Sequence, residues 1–267
     1  MIPLFDANAH PTLSGRTHGQ DTTFARLSRD LKQNGFAGAC AVGLHGTGDY
    51  DDQRFMTACR PWPELIPVAA WGDVAERDIE RRIEALCGLG YRAIKIHPRL
   101  TGLSVSDARF RRVVQHAAAA GLVIFHCSYQ FSNTPSIHPV DPLPVLLEIF
   151  ASVDSARIVL LHGGTVELMR YAEAVRPFKN LLLDLSFTIN RFAGSSLDQD
   201  IAYLFRSFDQ RICIGSDFPD YGCDQLRQRF DAFAEGLPPE KQHNIGWRNI
   251  TAFLGYPAWP ADGAKAD

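Results

Sequence analysis

The stretch I-P-L-F-D-A-N-A-H, Ile2–His10, combines a short apolar run with polar side chains at every second position. The apolar run is typical of a buried strand, and Asp6, Asn8 and His10 follow it. Side chains alternate between the two faces of a strand, so these three point in the same direction. A carboxylate, an amide and an imidazole pack poorly in a core but suit a polar site. The alternative is a strand end that frays into a polar turn closed by Pro11.

Seven more apolar runs follow, and segments with helical spacing lie between them. These runs are Gly38–Leu44, Leu65–Ala70, Arg92–His97, Leu122–His126, Arg157–His162, Leu181–Leu185 and Arg211–Gly215. They are continuously apolar rather than alternating, which indicates parallel strands buried on both faces. Eight such units in a chain near the usual length of about 250 residues predict a (β/α)8 TIM barrel. An open doubly wound sheet is the rival, but no G-x-G-x-x-G turn follows the first strand.

The composition narrows the class of protein. The 267 residues are 46% hydrophobic and 21% charged, and the net charge of -3 gives no electrostatic footprint for nucleic acid or an anionic membrane. We find neither a signal peptide nor an apolar run of the roughly 20 residues that span a bilayer. The six cysteines form no C-x-x-C pair and several lie in apolar runs, so we expect reduced thiols and a cytoplasmic protein.

We find no linker that would divide the chain. Residues 1–260 are therefore assigned to a single barrel domain and residues 261–267 to a disordered polar tail. The expected partner is a small-molecule substrate, and the sequence is compatible with a homodimer.

Ionisable side chains occur at the ends of several predicted strands. These residues are His10, His97, His126, His162 and Asp217. The carboxyl ends of barrel strands converge on one face, where active sites lie. A single histidine at a strand end is more often structural, so the inference depends on their joint placement. Imidazoles with one carboxylate around a cavity are the usual ligands of a catalytic Zn²⁺ or similar ion.

Six motifs occur in a characteristic order along the chain. They are D-A-N-A-H, I-K-I-H-P, F-H, L-L-H-G-G, G-S-D-F-P and N-I-T-A-F-L-G. In these motifs the sequence resembles the amidohydrolase superfamily, and in particular its amidohydrolase-2 branch of metal-dependent TIM-barrel hydrolases and decarboxylases. The resemblance runs through the whole chain, and G-S-D-F-P and I-K-I-H-P are its most specific parts.

The resemblance implies a role for each matching position. His10 is similar to the second histidine of the H-x-H metal pair on the first strand, and His126 to the metal ligand on the fifth. Asp217 is similar to the carboxylate that binds the metal or takes a proton from its water. His162 is similar to the histidine that acts as a catalytic acid or base. His97 and Arg99 occupy positions where relatives bind substrate.

The first position of the H-x-H pair is Asn8 rather than histidine. An amide oxygen is a weaker zinc ligand than an imidazole, so Asn8, His10, His126 and Asp217 predict one divalent ion, zinc or a harder ion such as manganese or magnesium. The same substitution is compatible with loss of the metal. Lys95 is either a carbamylated bridging lysine, as in binuclear relatives, or a buried ion-pair partner.

These observations predict a metal-dependent hydrolase that acts on a small, carboxylate-bearing substrate through a metal-activated water. Three alternatives stay open. The first is a decarboxylase of an aromatic or unsaturated acid, the second is a metal-independent lactonase, and the third is a non-catalytic relative that uses the cavity only for binding.

Overall fold

A computed structural model describes residues 2–46, 49–130 and 141–256, and its central element is a ring of eight parallel strands. The strands are β1 (Leu4–Ala9), β2 (Phe36–Val42), β3 (Leu65–Ala70), β4 (Ala93–Ile96), β5 (Val123–Cys127), β6 (Arg157–Leu161), β7 (Leu181–Asp184) and β8 (Ile212–Cys213). Each pairs with the next along the chain. The predicted tail, residues 261–267, lies outside the described part of the chain.

Helices follow the strands on the outside of the ring. They are α1 (Phe24–Gln33), α2 (Asp52–Cys59), α3 (Ile79–Leu89), α4 (Pro98–Thr101), α5 (Ala108–Ala119), α6 (Pro142–Ser152), α7 (Leu168–Val175), α8 (Thr188–Arg191), α9 (Leu197–Ser207), α10 (Cys223–Ala234), α11 (Pro239–His243) and α12 (Asn249–Phe253). A π-helical turn, Asn244–Arg248, joins the last two. Within the described ranges, no helix combines the length and apolar character that crossing a bilayer requires.

The ring closes between β1 and the segment after β8. The backbone N–H of Ala7 donates to the carbonyl of Ile214 at 2.9 Å, and that of His10 donates to Phe218 at 2.8 Å. In the other direction, the N–H of Asp217 donates to the Asn8 carbonyl at 2.8 Å. These bonds confirm the predicted barrel and hold the first and last strands of the site together.

Apolar side chains pack on both faces of the strands, as the continuous apolar runs predict. The larger cluster lies between the strands and the outer helices. A second cluster fills the ring with alternate strand residues such as Phe5, Val68 and Phe125, and Trp247 and Ile250 pack onto it. The strand residues near the carboxyl ends are therefore the part of the ring left for polar side chains.

Local sequence explains where the outer helices begin and end. The Thr23 hydroxyl accepts the N–H of Arg26 at 3.1 Å at the start of α1, and the Asp51 carboxylate accepts that of Arg54 at 2.8 Å at the start of α2. Both satisfy backbone donors that have no partner inside the helix. Gly90 ends α3 with a φ of 96°, a left-handed conformation that glycine adopts without steric cost.

Most strand boundaries differ by one or two residues from the sequence-based ones, and three of these differences lie next to the site. The predicted eighth strand, Arg211–Gly215, pairs only over Ile212–Cys213. The sixth ends at Leu161, because the chain turns at His162 with a φ of 67°. The fifth is displaced by one residue and includes Cys127.

Candidate active site

Four polar side chains, three of them buried, meet at the carboxyl ends of the strands. Asn8 and His10 come from the end of β1, Lys95 from β4, and Asp217 from the loop after β8. The Nδ2 of Asn8 donates to the Oδ1 of Asp217 at 2.6 Å, and the Nε2 of His10 lies 3.3 Å from that same oxygen. The Nζ of Lys95 lies 3.0 Å from the Nε2 of His10 and 3.4 Å from the Oδ1 of Asn8.

The hydrogen bonds define the protonation of His10. Its Nδ1 lies 2.8 Å from the carbonyl oxygen of Val42, which can only accept, so the proton is assigned to Nδ1. The lone pair of Nε2 therefore faces Lys95. Burial, reinforced by Lys95, lowers the pKa of His10 and favours this neutral imidazole.

Asp217 is an anion in this network. Burial alone would raise the pKa of its carboxyl group, but the positive charges of His162 and Lys95 lower it below the ordinary value of 3.8. The carboxylate is therefore ionised, and it can accept a proton during a reaction.

The donor atoms around Lys95 do not fit a resident divalent ion. The Nε2 of His10 and the Oδ1 of Asn8 face the amino group of Lys95, and the Oδ1 of Asp217 already accepts the amide of Asn8. In the described ranges, no group of three or more histidine, cysteine, aspartate and glutamate side chains is arranged to hold a metal ion.

The structure does not bring His126 together with the other three predicted ligands. In the ladder between β4 and β5, Lys95 pairs with Phe125, and Ile96 pairs with His126. Because successive side chains point to opposite faces, His126 lies on the side away from Lys95. Its ring packs edge-on against Phe110 of α5, with 5.3 Å between centroids.

The position on β5 that faces the site is Cys127, which sequence reasoning treated only as a buried thiol. Burial would raise the pKa of this thiol, but the imidazoles of His97 and His162 lower it well below 9.0. The available clue was the alternation of side chains along the strand, which places Cys127 on the same face as Phe125. The prediction missed it because the strand was ended one residue early.

His162 follows β6 and interacts electrostatically with Asp217. Its Nδ1 lies 3.2 Å from the carbonyl oxygen of Ser186. The hydroxyl of Thr188 donates to the backbone carbonyl of His162 at 2.6 Å. Burial opposes a charged imidazole, but Asp217 and then Cys127 outweigh it and raise the pKa of His162 to about 9. The ring is therefore a fixed cationic acid next to a carboxylate base.

His97 and Arg99 form a second polar group beside this pair. The guanidinium of Arg99 stacks on Tyr129, with its Cζ 4.6 Å from the ring centroid. Among the described residues, His97 Nδ1 and Arg99 Nε are buried side-chain atoms without a hydrogen-bond partner. A buried donor without a partner is costly, so both atoms are suited to a bound anion.

A comparison with protein families decides the class of this chain. The amidohydrolase family model, Amidohydro_2, matches residues 15–256. The chain belongs to the amidohydrolase family. This confirms the resemblance inferred from the sequence motifs.

Solved structures give the same fold for this amidohydrolase at low sequence identity. An uncharacterised TIM-barrel protein from Bordetella bronchiseptica has a TM-score of 0.78 and 14% identity, covering 96% of this chain and 99% of the other. A protein from Pseudomonas putida assigned as a 2-pyrone-4,6-dicarboxylic acid hydrolase has a TM-score of 0.71 and 17% identity, covering 96% and 98%. A manganese complex of 5-carboxyvanillate decarboxylase from Novosphingobium aromaticivorans has a TM-score of 0.62 and 13% identity, covering 96% of each chain. No curated protein matches the sequence.

Two buried carboxyl groups, those of Asp6 and Asp184, form hydrogen bonds with residues next to the site of this amidohydrolase. The Oδ1 of Asp6 accepts the N–H groups of Asn8 at 3.0 Å and Ser216 at 2.9 Å, so Asp6 ties β1 to the loop that carries Asp217. Asp184 accepts the hydroxyl of Ser186, and burial raises its pKa to about 6.

Backbone strain is concentrated at the same strand ends. His162, Phe187 and Asp217 have positive φ angles of 67°, 62° and 60°, which are uncommon for residues with a Cβ. Such conformations cluster at active sites, where the surrounding structure imposes them. Here they turn the chain after β6, β7 and β8, at the ends of the strands where the polar side chains of the site collect.

Proposed function

We propose that this amidohydrolase hydrolyses a small ester or lactone that carries a carboxylate. The observation that carries the proposal is the pairing of an ionised Asp217 with a cationic His162 at the carboxyl ends of the strands. A base and an acid with separated pKa values are what the addition of water to an ester requires.

The two residues divide the proton transfers. Asp217 takes a proton from a water molecule as its oxygen forms a bond to the substrate carbonyl carbon. His162 gives its proton to the alkoxide oxygen as the bond between that oxygen and the carbonyl carbon breaks. The products are a carboxylic acid and an alcohol, which remain one molecule when the substrate is a lactone.

The substrate carboxylate is assigned to His97 and Arg99. Their buried donor atoms have no partner within the described ranges, and Tyr129 fixes the plane of the guanidinium. A guanidinium held in this way can bind a carboxylate through two hydrogen bonds. The Pseudomonas putida neighbour is assigned as the hydrolase of a dicarboxylic acid, which is consistent with a carboxylate subsite.

The predicted divalent ion is not part of this proposal. The neighbour complexed with manganese is a decarboxylase. In the present chain the donor atoms face Lys95, and the proposed hydrolysis therefore uses only side-chain acids and bases. Decarboxylation is the competing outcome that the experiment distinguishes.

The test is a screen of carboxylated pyrones and other lactones against their uncharged analogues, with product analysis by mass spectrometry. We expect addition of water without release of CO2. Asp217→Asn and His162→Asn should each lower kcat by about 10²–10⁴-fold, the usual contribution of a positioned acid or base. His116→Asn, a change in α5, is the control and should retain activity.

The carboxylate subsite has its own measurement. Arg99→Ala should weaken binding of a carboxylate ligand far more than binding of the matched amide, whereas Arg112→Ala, which removes a half-exposed arginine paired with Glu76, should affect neither. Equal losses for both ligands in Arg99→Ala would exclude the assignment. Release of CO2 from the active substrate would exclude hydrolysis.

A further inference from the structure

The amino group of Lys95 has an unusual set of neighbours for a buried lysine. It is 2% exposed, yet its two hydrogen-bond contacts are uncharged acceptors, the Nε2 of His10 and the Oδ1 of Asn8. Both acceptors come from the same strand, at alternate positions. Asp217 is bonded to the same Asn8 side chain and lies 3.3 Å from His10.

We infer that Lys95 occupies a latent metal site and excludes the metal from it. Its Nζ lies where an ion held by His10 and Asn8 would lie. The amino group donates protons to the two atoms that would otherwise donate lone pairs to a metal. The inference concerns only what fills this position, so it does not depend on the proposed hydrolysis.

The chemistry of the donors explains why the exchange of lysine for metal is possible. Neutral imidazole, amide oxygen and carboxylate oxygen are all metal ligands, and three protein ligands with an open position make a sufficient site. They are equally acceptors of N–H donors. Removal of the lysine side chain would leave the Nε2 of His10 and the Oδ1 of Asn8 without this donor, a costly state that a divalent ion relieves.

The inference predicts that two changes act together on metal affinity. Lys95→Ala should create a zinc site formed by His10, Asn8 and Asp217. Asn8→His alone should gain little affinity, because Lys95 still occupies the position. The double variant, which combines Asn8→His with Lys95→Ala, should bind Zn²⁺ most tightly. It places two imidazoles at the end of β1 and removes the amino group that lies next to them.

The experiment compares these variants with the wild type after purification without chelator. Zn²⁺ and Mn²⁺ content is measured by mass spectrometry of the metal after gel filtration, and Tm is measured with and without each ion. We expect no retained ion and no Tm change in the wild type, and a zinc-dependent rise in Tm for Lys95→Ala and the double variant. Lys179→Ala, which removes an exposed lysine, is the control and should behave as wild type.

Several results would overturn the inference, and none requires a substrate. One equivalent of tightly held ion in the wild type would show that Lys95 does not exclude metal, and this measurement stands even if Lys95→Ala folds poorly. Asn8→His binding zinc as tightly as the double variant would show the same. Failure of both Lys95→Ala and the double variant to bind metal would show that no latent site exists. A carbamate signal in the ¹³C spectrum of protein equilibrated with ¹³C-bicarbonate would identify Lys95 as a metal-bridging group instead.

Discussion

Replacing Asp217 with asparagine should lower the pKa of His162, and this can be measured before any substrate is known. Burial opposes the charged imidazole, and Asp217 is the strongest group that overcomes it to give a pKa of about 9. The difference from the ordinary 6.5 corresponds to about 3 kcal/mol of stabilisation of the cation. Because Cys127 supplies part of this energy, we expect the substitution to remove only part of it, at least about 1 kcal/mol, which lowers the pKa of His162 by about 1 or more.

The assay is an NMR titration of protein labelled with ¹⁵N-histidine, between about pH 5 and pH 10, where imidazoles change charge. The His162→Gln variant assigns the resonance. Asp220→Asn is the comparison variant: Asp220 lies on the same loop and acts on His162 less strongly than Asp217 does, so a smaller fall in the pKa of His162 is expected. A wild-type His162 that titrates near 6.5, or one whose pKa is unchanged in Asp217→Asn, would refute the pairing of base and acid.

Two further predictions concern stability. Between about pH 4 and pH 6, the folded protein keeps a proton on Asp184 that the unfolded chain releases, so the free energy of unfolding should fall by up to about 3 kcal/mol as pH rises through this window. Asp184→Asn should remove that contribution, which urea titrations of both proteins at each end of the window measure. An equal change in the free energy of unfolding in wild type and Asp184→Asn would show that the carboxyl group is not protonated in the fold. Gly164→Ala should cost about 1–3 kcal/mol more than Gly194→Ala in the same assay, because a Cβ at Gly164 would lie 2.2 Å from the ring of Tyr171 whereas Gly194, with a similar φ, has open space. Equal losses for the two glycines would mean that the ring moves aside.

The sequence was sufficient to predict the barrel because each strand is an apolar run of the right length between helical segments. It was also sufficient to place His10, His97, His162 and Asp217 at strand ends. The same continuous apolar runs carry no alternation, so they do not determine which residues face inward. That is why His126 was expected in the cavity, and why Cys127, one residue later, was missed.

Contacts between distant strands were the other part that sequence could not supply. Lys95 and His10 are 85 positions apart, and nothing local to either residue predicts that their nitrogen atoms approach within 3.0 Å. The contact between Lys95 and His10 depends on the register between neighbouring strands and on where each strand ends. The same is true of Asp6 and Ser216, whose contact depends on closure of the barrel.

Ring closure also determines when the site can form during synthesis on the ribosome. Asn8 and Asp217 are separated by 209 residues, which translation at about 5–20 residues per second covers in about 10–40 s. Throughout that interval the nascent first strand carries Asp6, Asn8 and His10 without the loop that will satisfy them. The polar residues of β1 are thus made early and are among the last to reach their final partners.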